Sequence, residues 1–140
     1  MKSYLNFFFA MCGVIITYAI GEIDRVFIAL CVAICVDYIS GLVVALVFKN
    51  SQKTASGAAS SSVCFTGLLK KIFMIVLVAL AHQLDMALGI DFVRAGVVYA
   101  FLSNEVLSVI ENATLMGIPV PDVIKKALDI SHGKFEETKK

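Results

Sequence analysis

The stretch VFIALCVAICVDYISGLVVALVF, residues 26–48, decides the class of this protein: 23 residues long, it holds Asp37 as its only charged residue. A helix of roughly 17–25 apolar residues crosses the hydrocarbon core of a bilayer. Three more apolar runs flank it. Residues 4–20 hold no charge, residues 72–90 carry His82 and Asp85, and residues 92–116 carry Arg94, Glu105 and Glu111. All are long enough to span, the first barely and the last with a polar second half. The expected fold is an all-α membrane protein with four transmembrane helices.

Composition points the same way. Of 140 residues, 59% are hydrophobic and 16% charged, and mean hydropathy is +0.89. A soluble domain usually carries about 25% charged residues, and the surface of so apolar a chain would not stay dissolved. With a net charge of +1 there is no field to draw nucleic acid. Lys2 precedes the first run as in a secretory signal, but such apolar regions span only about 7–15 residues. Ala19-Ile20-Gly21 is also a poor cleavage site. The first run is therefore read as an uncleaved helix.

Orientation follows from the basic residues. Lys49, Lys53, Lys70 and Lys71 lie between the second and third runs with no acid among them. The tail after Met116 holds Lys125, Lys126, Lys134, Lys139 and Lys140, and the N-terminus holds Lys2. Only Arg25 and Arg94 fall in the two remaining turns, 21–25 and 89–94. The positive-inside rule then places both termini and the lysine loop in the cytoplasm. Loop 50–62, rich in Ser, Ala and Gly, is expected to be a mobile linker. Residues 1–118 form the transmembrane domain. In 119–140, Pro119 and Pro121 end the fourth helix, and Val123, Ile124, Ala127 and Leu128 recur at helical spacing. This is expected to be a short amphipathic helix on the inner membrane surface, followed by a charged tail.

Candidate functional residues lie on three helices. Ala29, Ala33, Asp37, Gly41 and Ala45 recur every four residues, a face of small side chains with a carboxyl at its centre. Small residues let helices approach closely in lipid, so this face packs either within the chain or between subunits. Asp37 would cost about 3 kcal/mol or more if charged and unpaired at mid-membrane. On the third helix His82 and Asp85 can pair locally or form a buried interhelical hydrogen bond near the outer surface. On the fourth, Asn104, Glu105, Ser108, Glu111 and Asn112 share one arc, opposite Leu102, Val106, Val109 and Ile110. Such a face cannot look at lipid. A four-helix monomer has few partners for it, and the expectation is that these five residues line a pore in an assembly.

Other signals are weak. Cys31 and Cys35 stand at i, i+4, a spacing suited to a metal, but no further Cys or His lies near them in sequence, and plain packing explains them. Asn112-Ala113-Thr114 matches a glycosylation sequon but abuts an apolar helix. No nucleophile is placed with a His, and no phosphate-binding glycine loop or metal motif occurs. The sequence offers no catalytic site, no cofactor site and no metal site, and points away from an enzyme.

From Asp37 to Leu128 the chain resembles the phage lysis and toxin-secretion holins of Gram-positive bacteria and their phages. The resemblance lies in Asp37 with Ser40-Gly41 and Ala45, the serines 60–62, and Gly67-Leu68-Leu69-Lys70-Lys71. It continues in Ala81 with Leu84-Asp85 and, most specifically, in NEVLSVIENATLMGIPVP, residues 104–121. It implies a multi-pass protein of the bacterial cytoplasmic membrane that forms homo-oligomers. Such a protein opens lesions that release an endolysin or a toxin. Some holins use two nearby start methionines; here the next is Met11, inside the first span. Two rival readings remain, a proton-coupled channel or transporter subunit using Asp37, His82, Asp85 and Glu105, and an inert assembly scaffold. The lack of an inverted repeat weighs against a transporter.

Overall fold

In lipid a backbone can satisfy its polar groups only internally, so each apolar run folds as a helix. The structure, a computed structural model, describes residues 2–124 and 126. Its helices are α1 (Lys2–Ile20), α2 (Arg25–Val43), α3 (Ser61–Leu88) and α4 (Val93–Leu115). All four are long and apolar enough to cross a membrane, and there is no strand among the described residues.

The α1–α2 turn depends on Gly21, which is buried with φ +87°. A Cβ there would come within 2.8 Å of His82 Nδ1 and 3.1 Å of Arg94 Nε. Asp24 then caps α2, its Oδ1 accepting the Phe27 N–H at 2.7 Å. That amide, helped by the Arg94 guanidinium and opposed by desolvation, holds the Asp24 carboxyl below its ordinary value. Helix α2 runs on into a π-helical turn, Val44–Phe48, which stops at Lys49 with φ 50°.

The linker is not structureless. Ser51 N–H bonds to Gly57 O, Gly57 N–H to Thr54 O, and the Asn50 side chain donates to the Leu115 carbonyl at the end of α4. Gly57 has positive φ, and a Cβ there would overlap the Lys49 carbonyl.

The third span departs from the sequence reading. Apolarity alone starts it at residue 72, after the lysine pair, whereas α3 starts at Ser61. The segment Val63–Leu69 continues the helix. Lys71 does not break it, because its ammonium meets two carboxyls inside the bundle. Lys70 and Lys71 thus belong to a helix, and the loop proper keeps Lys49 and Lys53.

Helix α2 packs chiefly on α4, α3 on α4, and α1 on α3. The apolar core is small: Phe27, Leu30, Val78 and Val98, flanked by residues such as Ile34, Ile75 and Phe101. Most other large apolar side chains, among them Phe7, Phe8, Phe9, Phe73 and Leu80, point outward, as lipid contact requires. The expected surface helix begins with a helical turn at Asp122, with Ile124 N–H bonded to Pro121 O. Its Ala127 and Leu128, and the tail beyond, lie outside the described residues.

Candidate functional site

The buried seam repeats every seven residues, close to two helical turns, which keeps side chains on one face. On α2 it passes through Leu30, Asp37 and Val44, and on α4 through Val98, Glu105 and Asn112. Helix α3 runs the opposite way and contributes Val78 and, seven residues earlier, Lys71. Two layers result, about 10 Å apart. One is apolar, Leu30–Val78–Val98, with exposures of 0%, 0% and 2%. The other is ionic, Asp37–Lys71–Glu105.

In the ionic layer Lys71 Nζ lies 2.7 Å from Asp37 Oδ2 and also bonds Glu105 Oε2. Both carboxyls are buried, and the Lys71 side chain is 15% exposed. The Asn112 amide donates to Asp37 Oδ1 at 3.1 Å and to Ser40 Oγ at 2.9 Å. No buried side-chain nitrogen or oxygen among the described residues lacks a partner. The layer sits near the middle of α4 and of the continuous run of α2 with its π turn, about 15–18 Å from their ends, where an unpaired charge is most costly.

Two clefts reach this layer from the loop end. One, of ≈ 560 Å³, is lined by Asp37, Lys53, Lys71, Asn104, Glu105 and Ser108 among others. The second, of ≈ 180 Å³, has Asp37, Gly41, Lys53, Ser108, Glu111 and Asn112 on its walls. All five polar residues of α4 therefore face these clefts. Polar walls of this size suit ordered water.

The expectation that a monomer has few partners for the α4 face fails for Glu105 and Asn112: both are buried and bonded to Lys71, Asp37 and Ser40. Asn104 is exposed, and Ser108 and Glu111 are half-buried. The small-residue face of α2 is split. Asp37 and Ala45 are buried, Ala33 and Gly41 half-buried, and Ala29 exposed. A Cβ on Gly41 would meet Asn112 Nδ2 at 3.7 Å, so this part of the face packs on α4.

At the other end of the bundle, Asp85 forms the expected buried interhelical hydrogen bonds. Its two oxygens accept the Val93 and Arg94 N–H groups at 2.9 and 2.8 Å, capping α4. Arg94 then ties down the α1–α2 turn: Nε to Ile20 O at 2.8 Å, a guanidinium nitrogen to Asp24 Oδ2 at 3.0 Å, and another to Glu22 O. It also stacks over the Phe27 ring, 5.7 Å from its centroid.

Sequence reasoning missed Lys71, Ser40 and Arg94. The signal for Lys71 was present: Leu30 to Asp37, Val98 to Glu105 and Lys71 to Val78 all share one spacing, and only Lys71 offers a charge opposite to the two acids. Assigning Lys71 to a loop hid it.

The family model for the bacteriophage holin family matches residues 14–132. An uncharacterised protein of Listeria monocytogenes is 37% identical over 141 residues, covering 98% of this chain and 95% of its own length. One from Listeria innocua is 37% identical over 129 residues, 89% of this chain and 86% of the relative. An uncharacterised 14.9 kDa protein from the nagH 3' region of Clostridium perfringens is 28% identical over 128 residues, 90% and 91% of the two chains. No solved structure matches significantly.

Proposed function

This chain belongs to the bacteriophage holin family, and we propose that it oligomerises in the bacterial cytoplasmic membrane and opens a lesion that releases an endolysin or a toxin. The family forms pores and is not enzymatic. Both termini and the lysine loop face the cytoplasm in this reading, supported by the bias of lysine toward that side. Copies meet through the small-residue face of α2 where it is left open, at Ala29 and Ala33. The wall of the lesion is the Asn104–Asn112 face of α4.

One observation carries the reading: all five polar α4 residues line clefts that enter from the loop end and meet at Asp37. A sealed chain with a polar path to mid-membrane needs only helix separation to become a water-lined wall.

The test is regulated expression with a large cytoplasmic reporter enzyme, following membrane potential and reporter release together. Asn104→Leu with Ser108→Leu leaves the Lys71 ion pairs in place and removes two of the five polar groups from the wall. Wild type should lose potential and release the enzyme, and the double variant should insert equally well and retain the enzyme. Loss of potential with the enzyme retained by wild type would favour a small channel, and loss of neither would favour a scaffold.

A further inference from the structure

We infer, building on the pore-forming reading, that Lys71 is a latch: by holding Asp37 of α2 and Glu105 of α4 at one level, it keeps the apolar layer Leu30–Val78–Val98 closed to water.

The geometry isolates that layer as the barrier. Clefts from the loop end arrive at Asp37, Lys71 and Glu105. Beyond them, about 10 Å further along the bundle, stand three fully packed apolar side chains. A hydrophobic constriction of this kind excludes water by dewetting and conducts once it widens.

The three helices are held at this level by Lys71. Helix α2 makes little direct contact with α3 compared with α4, and the Lys71 ammonium is the ionic link between them. The same nitrogen bonds Glu105 on α4. Asp37 cannot swing aside freely, because the Asn112 amide donates both to its other carboxylate oxygen and to its backbone carbonyl. Without the ammonium, two carboxyls face one another across α2 and α4 in a medium of low dielectric. Breaking a buried ion pair by removing one partner is far more disruptive than replacing the whole group with apolar residues. Lys71 thus acts as a positioning residue for the gate.

The experiment reads water at the gate directly. Val98→Cys is placed in a full-length chain whose four native cysteines are replaced by serine or alanine, reconstituted in vesicles, and exposed to a small charged methanethiosulfonate reagent. The parent should label slowly, and addition of Lys71→Met should speed labelling at least tenfold. If the methionine variant does not accumulate, Lys71→Gln, which keeps hydrogen-bond donors without the charge, is read in the same way. Replacing the whole layer by Asp37→Leu, Lys71→Met and Glu105→Leu should restore slow labelling and also delay reporter release in cells. Unchanged labelling without Lys71 would overturn the latch. Fast labelling in both the single and the triple variant would also overturn it, because Lys71 would then act only in general packing. A wild-type chain that never releases the reporter would instead refute the pore-forming reading, and the labelling ratios would still decide the latch.

Discussion

The half of the bundle beside the α1–α2 turn and the half beside loop 49–60 use the same helices with opposite chemistry. In the turn half, Phe27, Leu30, Val78 and Val98 fill the interior. Its polar side chains Asp85 and Arg94 satisfy backbone groups and close the end. In the loop half the interior holds Asp37, Glu105, Asn112 and the half-buried Lys71 beside Val44 and Ala45, with clefts next to the polar groups. Lipid tails are as apolar as leucine, so apolar packing alone gives helices little reason to prefer each other over lipid. Specific polar bonds therefore decide which helices meet. The turn half uses them to fasten an apolar seam, and the loop half places them where the clefts end.

The most severe test of that difference is to move an acid between the halves. Val98→Asp should cost about 3 kcal/mol or more, seen as loss of the inserted, folded protein. Ser108→Asp, about one turn beyond Glu105 and lining both clefts, should cost far less. Equal losses would erase the distinction between the apolar and the cleft-lined halves.

Removing the clamp of the turn half comes next. Arg94→Leu gives up hydrogen bonds to two carbonyls and the Asp24 carboxylate. Hydrogen bonds to charged groups contribute about 1.5–3 kcal/mol, so a loss of about 2–3 kcal/mol is expected in reversible detergent unfolding. Helix α1, whose span has no buried residue, should separate from α3 first, measured by crosslinking between Tyr18→Cys and Gln83→Cys. An unchanged crosslink would place the fastening elsewhere.

A smaller effect is expected from Asp85→Ala, which uncaps α4 at Val93 and Arg94. The cost should be about 1–2 kcal/mol, with faster amide exchange confined to the first turn of α4. Exchange that rises equally around Glu105 would mean the halves are not separate units.

Acid should produce the smallest change. The folded Asp24 carboxyl lies below its ordinary value of 3.8, first because it accepts the Phe27 amide. Its cap therefore stabilises fully above that value and is lost as pH falls through the lower folded value. Amide exchange at Phe27 should rise in acid below 3.8, and Asp24→Asn should remove the pH dependence. A Phe27 amide insensitive to acid would show that the cap does not depend on charge.

Several residues of the candidate site stand out without coordinates. Asp37 does so because a lone acid in an apolar run is costly, and Glu105 and Asn112 because a polar arc cannot face lipid. Asp85 was legible as a buried hydrogen-bonding group. Hydropathy failed at Lys71, since a window that counts charges treats a lysine as the end of a span whatever lies opposite it. The small-residue face of α2, with its period of four, reads along the chain as one continuous face. The structure buries Asp37 and Ala45 in that face and leaves Ala29 exposed.

By itself the sequence determined that this is a multi-pass helical membrane protein with four spans, and which side chains are too polar to meet lipid. Those are properties of each segment alone, set by transfer from water to hydrocarbon and by the need of the backbone to bond internally. Which polar groups satisfy one another was decided only by the tertiary structure. Pairing Lys71 with Asp37 and Glu105, residues 34 positions from Lys71 on either side, depends on the relative height of three helices. That height is set by side-chain packing and by turns such as the one at Gly21, and no local pattern along the chain records it.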